Sequence, residues 1–408
     1  MRIVHTTSGG DFDVSSRTFI EDPSTSYNKL LQEAPWLLYE KKANSFLFVS
    51  RHSDIKRLFK HPALSSARVA ETVKQLPPAM QMAVEPLTSN LSSWVVFLDP
   101  PAHTDIRRVI TASLSSKMVS AAARDIRELA TDLATQCQTG QSTEVMSQMC
   151  FPLPAMVIAS LLGVQTQDLE AIKSWSADLA AFLGSDFNPS LLPPAQKSLL
   201  AMMAKFGELI AAHRAEPRSN LMGALLECQA KTPDFTDQAL QANLAGLVFA
   251  GHETTTNLIG SALLHLYSRP EVFDALMADR SKVAALIEET LRFDGPVQRV
   301  NRIATEEIVI DDVTIPAGQD VYLLLGAANR DPAVFVDPNE FRIDRDQTDH
   351  LTFGFGRHIC PGAQLAKAEA VAAIDAMLDL GKPSIESYEW RQNLSLRGLS
   401  TLNLSWAT

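Results

Sequence analysis

The residues with the clearest chemical potential surround Cys360, which stands where a glycine-rich loop gives way to a helical pattern. A cysteine at the first turn of a helix faces unpaired backbone N–H groups and the positive end of the helix dipole, which lower the thiol pKa and favour thiolate. Gly354 and Gly362 leave the backbone near the sulfur without side chains, so a flat, bulky group can approach closely. Phe353 is placed to shield the sulfur from water. The pattern predicts a thiolate ligand for haem iron.

A buried structural cysteine beside a turn is the alternative interpretation of Cys360. The spacing of Phe353, Gly356, Cys360 and Gly362 resembles the haem-binding loop of the cytochrome P450 family, F-x-x-G-x-x-x-C-x-G. The resemblance implies haem b as the cofactor, Cys360 as its iron ligand, and Phe353, Gly354 and Gly362 as haem contacts.

A second chemical element lies in Gln241–Thr256, an apolar helical pattern that becomes polar midway. Gly251 and the hydroxyls after it invite local opening of the helical hydrogen bonds, which makes room for a ligand or water. Glu253 beside Thr254 can relay protons to a bound species, although a core helix with a polar end remains the alternative. The segment from Ala250 resembles the family's oxygen-activation motif, [AG]-G-x-[DE]-T-[ST]. That resemblance implies that Ala250 and Gly251 lie against the haem, Thr254 beside bound dioxygen, and Glu253 in the proton path.

Haem carries two propionates, and partly buried carboxylates need cationic partners. His103 and Arg107 lie four residues apart and share one helix face. Arg302 and His350 stand at other places where the family has such partners. Each residue alone reads as an ordinary surface charge. Their joint agreement with the family pattern predicts propionate binding.

Glu289 and Arg292 lie three residues apart on an amphipathic helical pattern, where a surface ion pair would contribute only a few tenths of a kcal/mol. The spacing matches the family's E-x-x-R motif, which implies a buried pair completed by Arg345 and the segment 337–341. We interpret this pair as scaffold rather than as catalytic machinery.

The composition limits the classes of function. The 408 residues carry a net charge of −11, which disfavours general nucleic-acid binding. Four scattered cysteines without a C-x-x-C pair indicate neither a zinc site nor a disulfide framework. Apolar runs such as 155–164 are too short for a transmembrane span, and the N-terminal residues lack a signal-peptide pattern. We expect a cytoplasmic monomer without a membrane anchor.

The chain order predicts a mainly α fold with small β-sheets. Helical periodicity dominates from 118 to about 270, whereas strands are predicted at 36–39, at 45–49 and after 302. Ser53 is predicted to cap a helix, and the proline-containing segment 72–93 to form an irregular loop that lines a binding site or covers the core. We expect a single domain over 1–408, β-rich near the N-terminus and after 302, with a helical core at 103–295 and 360–382. The resemblance, which covers about Ser45 to Leu402, implies the triangular-prism fold of the cytochrome P450 family.

The same resemblance implies a monooxygenase that activates O2 with two electrons. These electrons come from NAD(P)H through a separate ferredoxin or flavodoxin and its reductase, and the expected product is a hydroxylated or epoxidised hydrophobic small molecule, such as a secondary metabolite. A peroxygenase driven by H2O2 and a non-enzymatic haem sensor remain open. The residues expected in the substrate pocket are Leu247, Val297, Gln298, Val300, Leu399 and Ser400.

Overall fold

Helices form most of the part of the chain that the structure describes. The computed structural model covers residues 3–7, 12, 16–41, 44–74, 77–137, 142–185, 188–346 and 348–406. Its first helices are α1 (Arg17–Glu21), α2 (Ser24–Glu33), α3 (His52–Lys60), α4 (Arg68–Lys74), α5 (Pro78–Ser92), α6 (Ala102–Ser113), α7 (Ser116–Cys137) and α8 (Pro152–Leu162). The later ones are α9 (Leu169–Leu183), α10 (Leu192–Ala215), α11 (Leu221–Gln229), α12 (Asp237–Tyr267), α13 (Pro270–Ala278), α14 (Val283–Asp294), α15 (Leu325–Ala328) and α16 (Ala363–Asp379). Among these residues, no helix is both long and apolar enough to cross a membrane.

The strands form small sheets, as the sequence predicts. They are β1 (Val4–Thr6), β2 (Trp36–Lys41), β3 (Asn44–Val49), β4 (Leu64–Ser65), β5 (Thr143–Glu144), β6 (Val300–Ala304), β7 (Ile308–Ile310), β8 (Val313–Ile315), β9 (Asp320–Leu323), β10 (Ser384–Trp390) and β11 (Leu399–Ser405). The largest sheet has the order β1-β2-β3-β9-β6-β4, so that strands from the first 65 residues pair with strands after residue 300. A second sheet has the order β10-β11-β5, and β7 pairs with β8.

Side-chain alternation explains how the large sheet separates two apolar clusters. Leu47 packs with Ile55 of α3 in one cluster, whereas the adjacent Phe48 packs with Tyr27 of α2 in another. Successive residues of a strand point to opposite faces, so each face can bury its own layer.

Helix α12 passes through the largest cluster and is the central helix of the fold. Its N-cap Thr236 accepts a hydrogen bond from the Ala239 N–H, which satisfies one of the free donors of the first turn. Gly246 lets the Trp94 ring approach, since a Cβ there would lie 2.8 Å from the ring. Gly260 does the same for Met146, whose sulfur would lie 2.6 Å from a Cβ.

Two local predictions were wrong. The segment predicted as an irregular loop contains helix α5, because a proline at the first helical position is favoured and only Pro86 lies inside the helix. Met80 and Met82 are 44% and 80% exposed, so they do not cover the core. Helix α3 begins at His52 rather than after Ser53, and the His52 N–H donates to the Asp331 carboxylate instead of to a local cap.

The pair Glu289–Arg292 is buried, in agreement with the family resemblance. Arg292 donates two hydrogen bonds of 2.7 Å to the Glu289 carboxylate, which also accepts from Arg345 Nε (3.0 Å) and from the Arg342 N–H (2.8 Å). The remaining guanidinium donors bind the backbone oxygens of Asn329, Pro338 and Glu340.

Asn329 extends this network to the cysteine segment. Its side-chain oxygen accepts from the Leu351 N–H (2.7 Å), and its amide donates to the Thr352 hydroxyl (2.8 Å). Thr352 in turn donates to the Leu291 carbonyl of α14 (2.5 Å). The beginning of the Cys360 loop is therefore fastened to the helix that carries Glu289 and Arg292.

We predict that Arg292→Leu lowers the free energy of unfolding by about 3–5 kcal/mol, because it leaves the Glu289 carboxylate buried without its main partner. Guanidinium unfolding and haem content after purification measure the effect. Arg57→Leu removes an arginine from an exposed pair with Asp311 and should change both little. Equal losses in the two variants would contradict the assigned role of the buried pair.

Candidate active site

A short stripe on α12 opens on a space inside the molecule. From Ala242 to Tyr267 every residue is buried except Leu247, Ala250, Gly251 and Thr254. These four follow the spacing i, i+3, i+4 and i+7, which places them on one face of a helix. Because the flanking turns are packed on all sides, this face borders an internal space large enough to expose Ala250.

The loop before α16 presents Cys360. Gly354 and Gly356 have φ values of +72° and +73°, a left-handed conformation that favours glycine. A Cβ at Gly356 would also lie 3.2 Å from the Phe59 carbonyl oxygen. The loop closes through the Cys360 N–H, which donates to the Phe353 carbonyl (2.8 Å). Gly362 is the N-cap of α16 and keeps the side of the sulfur free of a side chain.

The prediction of a lowered thiol pKa was wrong for the chain as it stands. Burial raises the pKa of Cys360, and this effect exceeds the opposing effects of the Gly362 N–H and the nearby Arg107 cation. The helix terminus therefore favours thiolate as expected, but desolvation of the charged sulfur dominates. A metal ion bound by the sulfur deprotonates a thiol directly.

Four basic side chains gather next to this loop. The rings of His103 and His358 lie 4.4 Å apart between centroids. Burial, Arg302 and His103 lower the pKa of His358 to about 3, so its imidazole is neutral at pH 7. Burial also lowers the pKa of Arg302 to about 10, with Arg68 adding to the effect.

The partners of this basic cluster are neutral groups of the chain itself. Arg302 donates to the adjacent Asn301 carbonyl (2.8 Å), and Arg107 donates to the carbonyl of Ile359, directly before Cys360. The Nε2 atoms of both His103 and His358 are buried without a hydrogen-bond partner. Buried cations and orphaned donors of this kind require an anion.

These observations fit the haem that the sequence predicts. The basic cluster would hold the two propionates, Cys360 would ligate the iron, and the stripe on α12 would lie over the other face. The sequence prediction places His103, Arg107 and Arg302 in this cluster, and the structure brings these three together with His358.

His350 lies elsewhere, contrary to its predicted place among the propionate partners. Its Nε2 lies 3.2 Å from the Glu288 carboxylate, which also binds Lys367 at 2.5 Å. Its ring packs against Phe353 with a centroid separation of 5.9 Å. Glu288, which precedes the E-x-x-R pair, therefore attracts His350 away from the cluster.

The acid and the alcohol of α12 point in different directions. The Thr254 hydroxyl donates to the Ala250 carbonyl (3.0 Å) on the open stripe. Glu253 is only 5% exposed, and its carboxylate accepts a hydrogen bond from Arg391, in the turn between β10 and β11. His252 lies buried on the far side against Phe151, as expected of a structural residue.

The predicted pocket residues divide into two groups. Leu247, Val297 and Val300 are half-buried, and the buried Leu399 packs against α12 near Gly260. Gln298 and Ser400 were predicted wrongly, because both side chains are engaged with the scaffold. Gln298 accepts from the Tyr27 hydroxyl (2.8 Å) and donates to the Gly295 carbonyl (2.7 Å), and the exposed Ser400 donates to the Glu389 carbonyl (3.2 Å).

Two residues that carry charge or hydrogen bonds at this site were missed from the sequence. His358 is the basic residue two positions before Cys360, so its sequence position alone offered a signal. Arg391 lies 138 residues from Glu253, and no local spacing connects them.

Comparisons with known proteins agree with this geometry. The sequence model of the family "Cytochrome P450" matches residues 44–380. The biotin biosynthesis cytochrome P450 of Bacillus subtilis is 34% identical over 317 residues, which cover 77% of this chain and 80% of that protein. Cytochrome P450 107B1 of Saccharopolyspora erythraea is 32% identical over 394 residues, or 94% of this chain and 95% of that one. The chain belongs to the cytochrome P450 family, and it is a monooxygenase with haem b as its cofactor.

Solved structures show the same fold. The crystal structure of P450BioI in complex with hexadec-9Z-enoic acid ligated acyl carrier protein matches with a TM-score of 0.88 and 29% identity, covering 96% of this chain and 100% of that one. Myxobacterial CYP267B1 in complex with myristic acid matches with a TM-score of 0.88 and 27% identity, covering 98% and 99%. The predicted mainly α cytochrome P450 fold is confirmed.

We predict that Cys360→Ser loses the red-shifted Soret band that the reduced, carbon monoxide-bound protein gives when a thiolate holds the iron, because a serine hydroxyl cannot supply a thiolate. The absorption spectrum after dithionite reduction measures this change. Cys228→Ser, which changes a buried cysteine elsewhere, should retain the band. A red-shifted band in Cys360→Ser would refute the ligand assignment.

Proposed function

We propose that this cytochrome P450 hydroxylates or epoxidises an apolar small molecule with electrons delivered singly by a separate ferredoxin or flavodoxin. NAD(P)H supplies these electrons through a reductase. We also propose that residues 1–408 form one domain, because the largest sheet joins strands from both ends of the chain.

The observation that carries the proposal is the position of Cys360 beside the basic cluster of His103, Arg107, Arg302 and His358. Arg107 connects the two parts, since it binds the carbonyl before Cys360 and acts electrostatically on the sulfur. A single thiol next to cations without acidic partners matches the two demands of haem, an iron ligand and two propionate partners.

The residues of the chain divide the remaining work. Bound haem supplies the electron-transfer and dioxygen chemistry, which the protein itself cannot perform. Thr254 places a hydroxyl on the open stripe of α12, where it can hold a proton donor near the reacting oxygen. Glu253 supplies the carboxylate that moves protons from solvent towards that hydroxyl. The apolar side chains Leu247 and Val297 exclude water and orient the substrate.

An apolar substrate suits the surroundings of this stripe. The side chains placed there by the sequence prediction and left half-buried by the fold are aliphatic, and such surfaces bind apolar ligands. The printed names of relatives support the same class, since they include a vitamin D(3) 25-hydroxylase and structures with myristic acid and testosterone.

A basic surface beside the cysteine loop supports the proposed redox partner. Arg357 is exposed, and the Lys60 ammonium lies 5.1 Å from the centre of the Phe355 ring. Arg108 and Lys367, which the sequence also suggests for this surface, are paired with Asp105 and Glu288. An acidic ferredoxin would be attracted mainly by the first two residues.

We predict that Thr254→Ala diverts most of the electrons from product to hydrogen peroxide, because the reacting oxygen loses its positioned hydroxyl. Product and peroxide formed per NADPH measure the change. Thr255→Ala is the matched control, since its buried hydroxyl donates to the Gly251 carbonyl (3.1 Å) off the open stripe. Unchanged coupling in Thr254→Ala would contradict the assigned role.

We predict that Glu253→Gln slows dioxygen turnover by about 10²-fold, at the lower end of what a positioned acid–base group contributes. The rate of NADPH oxidation with ferredoxin and its reductase measures the effect. Haem content and the carbon monoxide spectrum should stay unchanged, because Glu253 does not hold the cofactor.

The two other functions make different predictions. A peroxygenase would form product from H2O2 alone at least as fast as with the ferredoxin system, and a haem sensor would form product with neither. We expect turnover with ferredoxin to be the faster, because the pair Glu253–Thr254 serves proton delivery to dioxygen.

A further inference from the structure

The carboxylate of Glu253 is bound by a residue from outside its helix. Glu253 is 5% exposed, whereas the Arg391 side chain is 33% exposed, and Nη1 of Arg391 donates to Oε1 of Glu253. The ion pair therefore spans the distance from the buried helix α12 to the protein surface at the turn 391–398.

In this arrangement Glu253 cannot reach the hydroxyl that it is proposed to serve. Consecutive residues of an α-helix are rotated by about 100°, and the Thr254 hydroxyl is occupied by the Ala250 carbonyl. The Glu253 carboxylate must leave Arg391 before it turns towards the open stripe. Leaving is unfavourable, since a buried carboxylate without a counter-charge loses its stabilisation.

The turn that carries Arg391 is fixed. The Arg391 N–H donates to the Gly398 carbonyl (2.9 Å), and the Arg397 N–H donates to the Pro296 carbonyl (2.8 Å). Arg397 also binds the buried Asp294 carboxylate (2.8 Å) and lies 3.7 Å from the centre of the Trp390 ring. The part free to move is thus the Arg391 side chain rather than the backbone.

A small cavity lies on the other side of Arg391. It has a volume of about 10 Å³ and is lined by Arg391, Asn393 and Trp390 among others. This is about the smallest space that holds one water molecule. A proton donor can therefore stand next to the guanidinium, between the surface and Glu253.

We propose that Arg391 is a positioning residue that acts as a latch on proton delivery. It holds Glu253 turned away from Thr254, and protons enter from the cavity beside Arg391 each time the ion pair opens. The inference rests on the proposed role of Glu253 and deepens it by naming its regulation. Arg391 touches neither cofactor nor substrate, so its whole effect passes through Glu253.

The test uses dioxygen as the only acceptor, so that no organic substrate is needed. Each NADPH supplies two electrons; O2 takes two electrons and two protons to form H2O2, or four of each to form two waters. We expect Arg391→Gln to raise the rate of NADPH oxidation in the haem-loaded protein about 10-fold, which corresponds to removing an opening step of about 1.4 kcal/mol. The solvent deuterium isotope effect on that rate should fall.

Three further variants make the test specific. Arg391→Lys keeps the charge and should stay close to the wild type. The double variant with Glu253→Gln should behave like Glu253→Gln alone, because Arg391 acts through Glu253. Arg214→Gln, which opens an exposed pair with Asp237, should change nothing.

A readout independent of turnover checks that the ion pair forms in solution. Unfolding of the wild type, both single variants and the double variant gives a double-mutant cycle. Non-additive midpoints are expected, and additive ones would overturn the latch even where Arg391→Gln folds poorly.

The outcomes separate the two levels of the proposal. If Glu253→Gln turns over normally, the proton role of Glu253 falls and the latch falls with it. If Glu253→Gln is slow but Arg391→Gln oxidises NADPH no faster than the wild type, the latch alone is wrong.

Discussion

The buried carboxylate of Glu289 is the interaction on which the site depends most. It gathers Arg292, Arg345 and the Arg342 N–H, and Arg292 passes the connection to Asn329. Asn329 and Thr352 then fasten the start of the cysteine loop to α14. Because a charge inside a protein is stable only with its partners in place, this network fixes the loop more firmly than apolar packing would.

The same constraint distinguishes scaffold from site. At Glu289 and Asp294 the chain supplies its own counter-charges, and these groups are closed to ligands. At the basic cluster the chain supplies cations and orphaned imidazole nitrogens without acids. A fold that satisfies its other buried charges leaves this imbalance only where an anion from outside completes it. The haem propionates are such anions.

Glu253 stands between these two cases. It has a counter-charge, as scaffold acids do, but that counter-charge is a partly exposed side chain on a surface turn. A pair of this kind can open, whereas the pair at Glu289 is enclosed by four donors. The difference lies in the exposure of the partner, and it makes one acid a fixed anchor and the other a movable carrier.

The sequence by itself determined the cysteine loop, the acid–threonine helix, the E-x-x-R pair and the mainly α fold, because each rests on residue types at short, fixed spacings. Tertiary structure decided which cations gather, and it replaced His350 with His358. It also occupied Gln298 and gave Glu253 a partner 138 residues away. Long-range contacts and desolvation, which raised the pKa of Cys360 against the effect of its helix, depend on how distant segments pack, and local spacing carries no record of that packing.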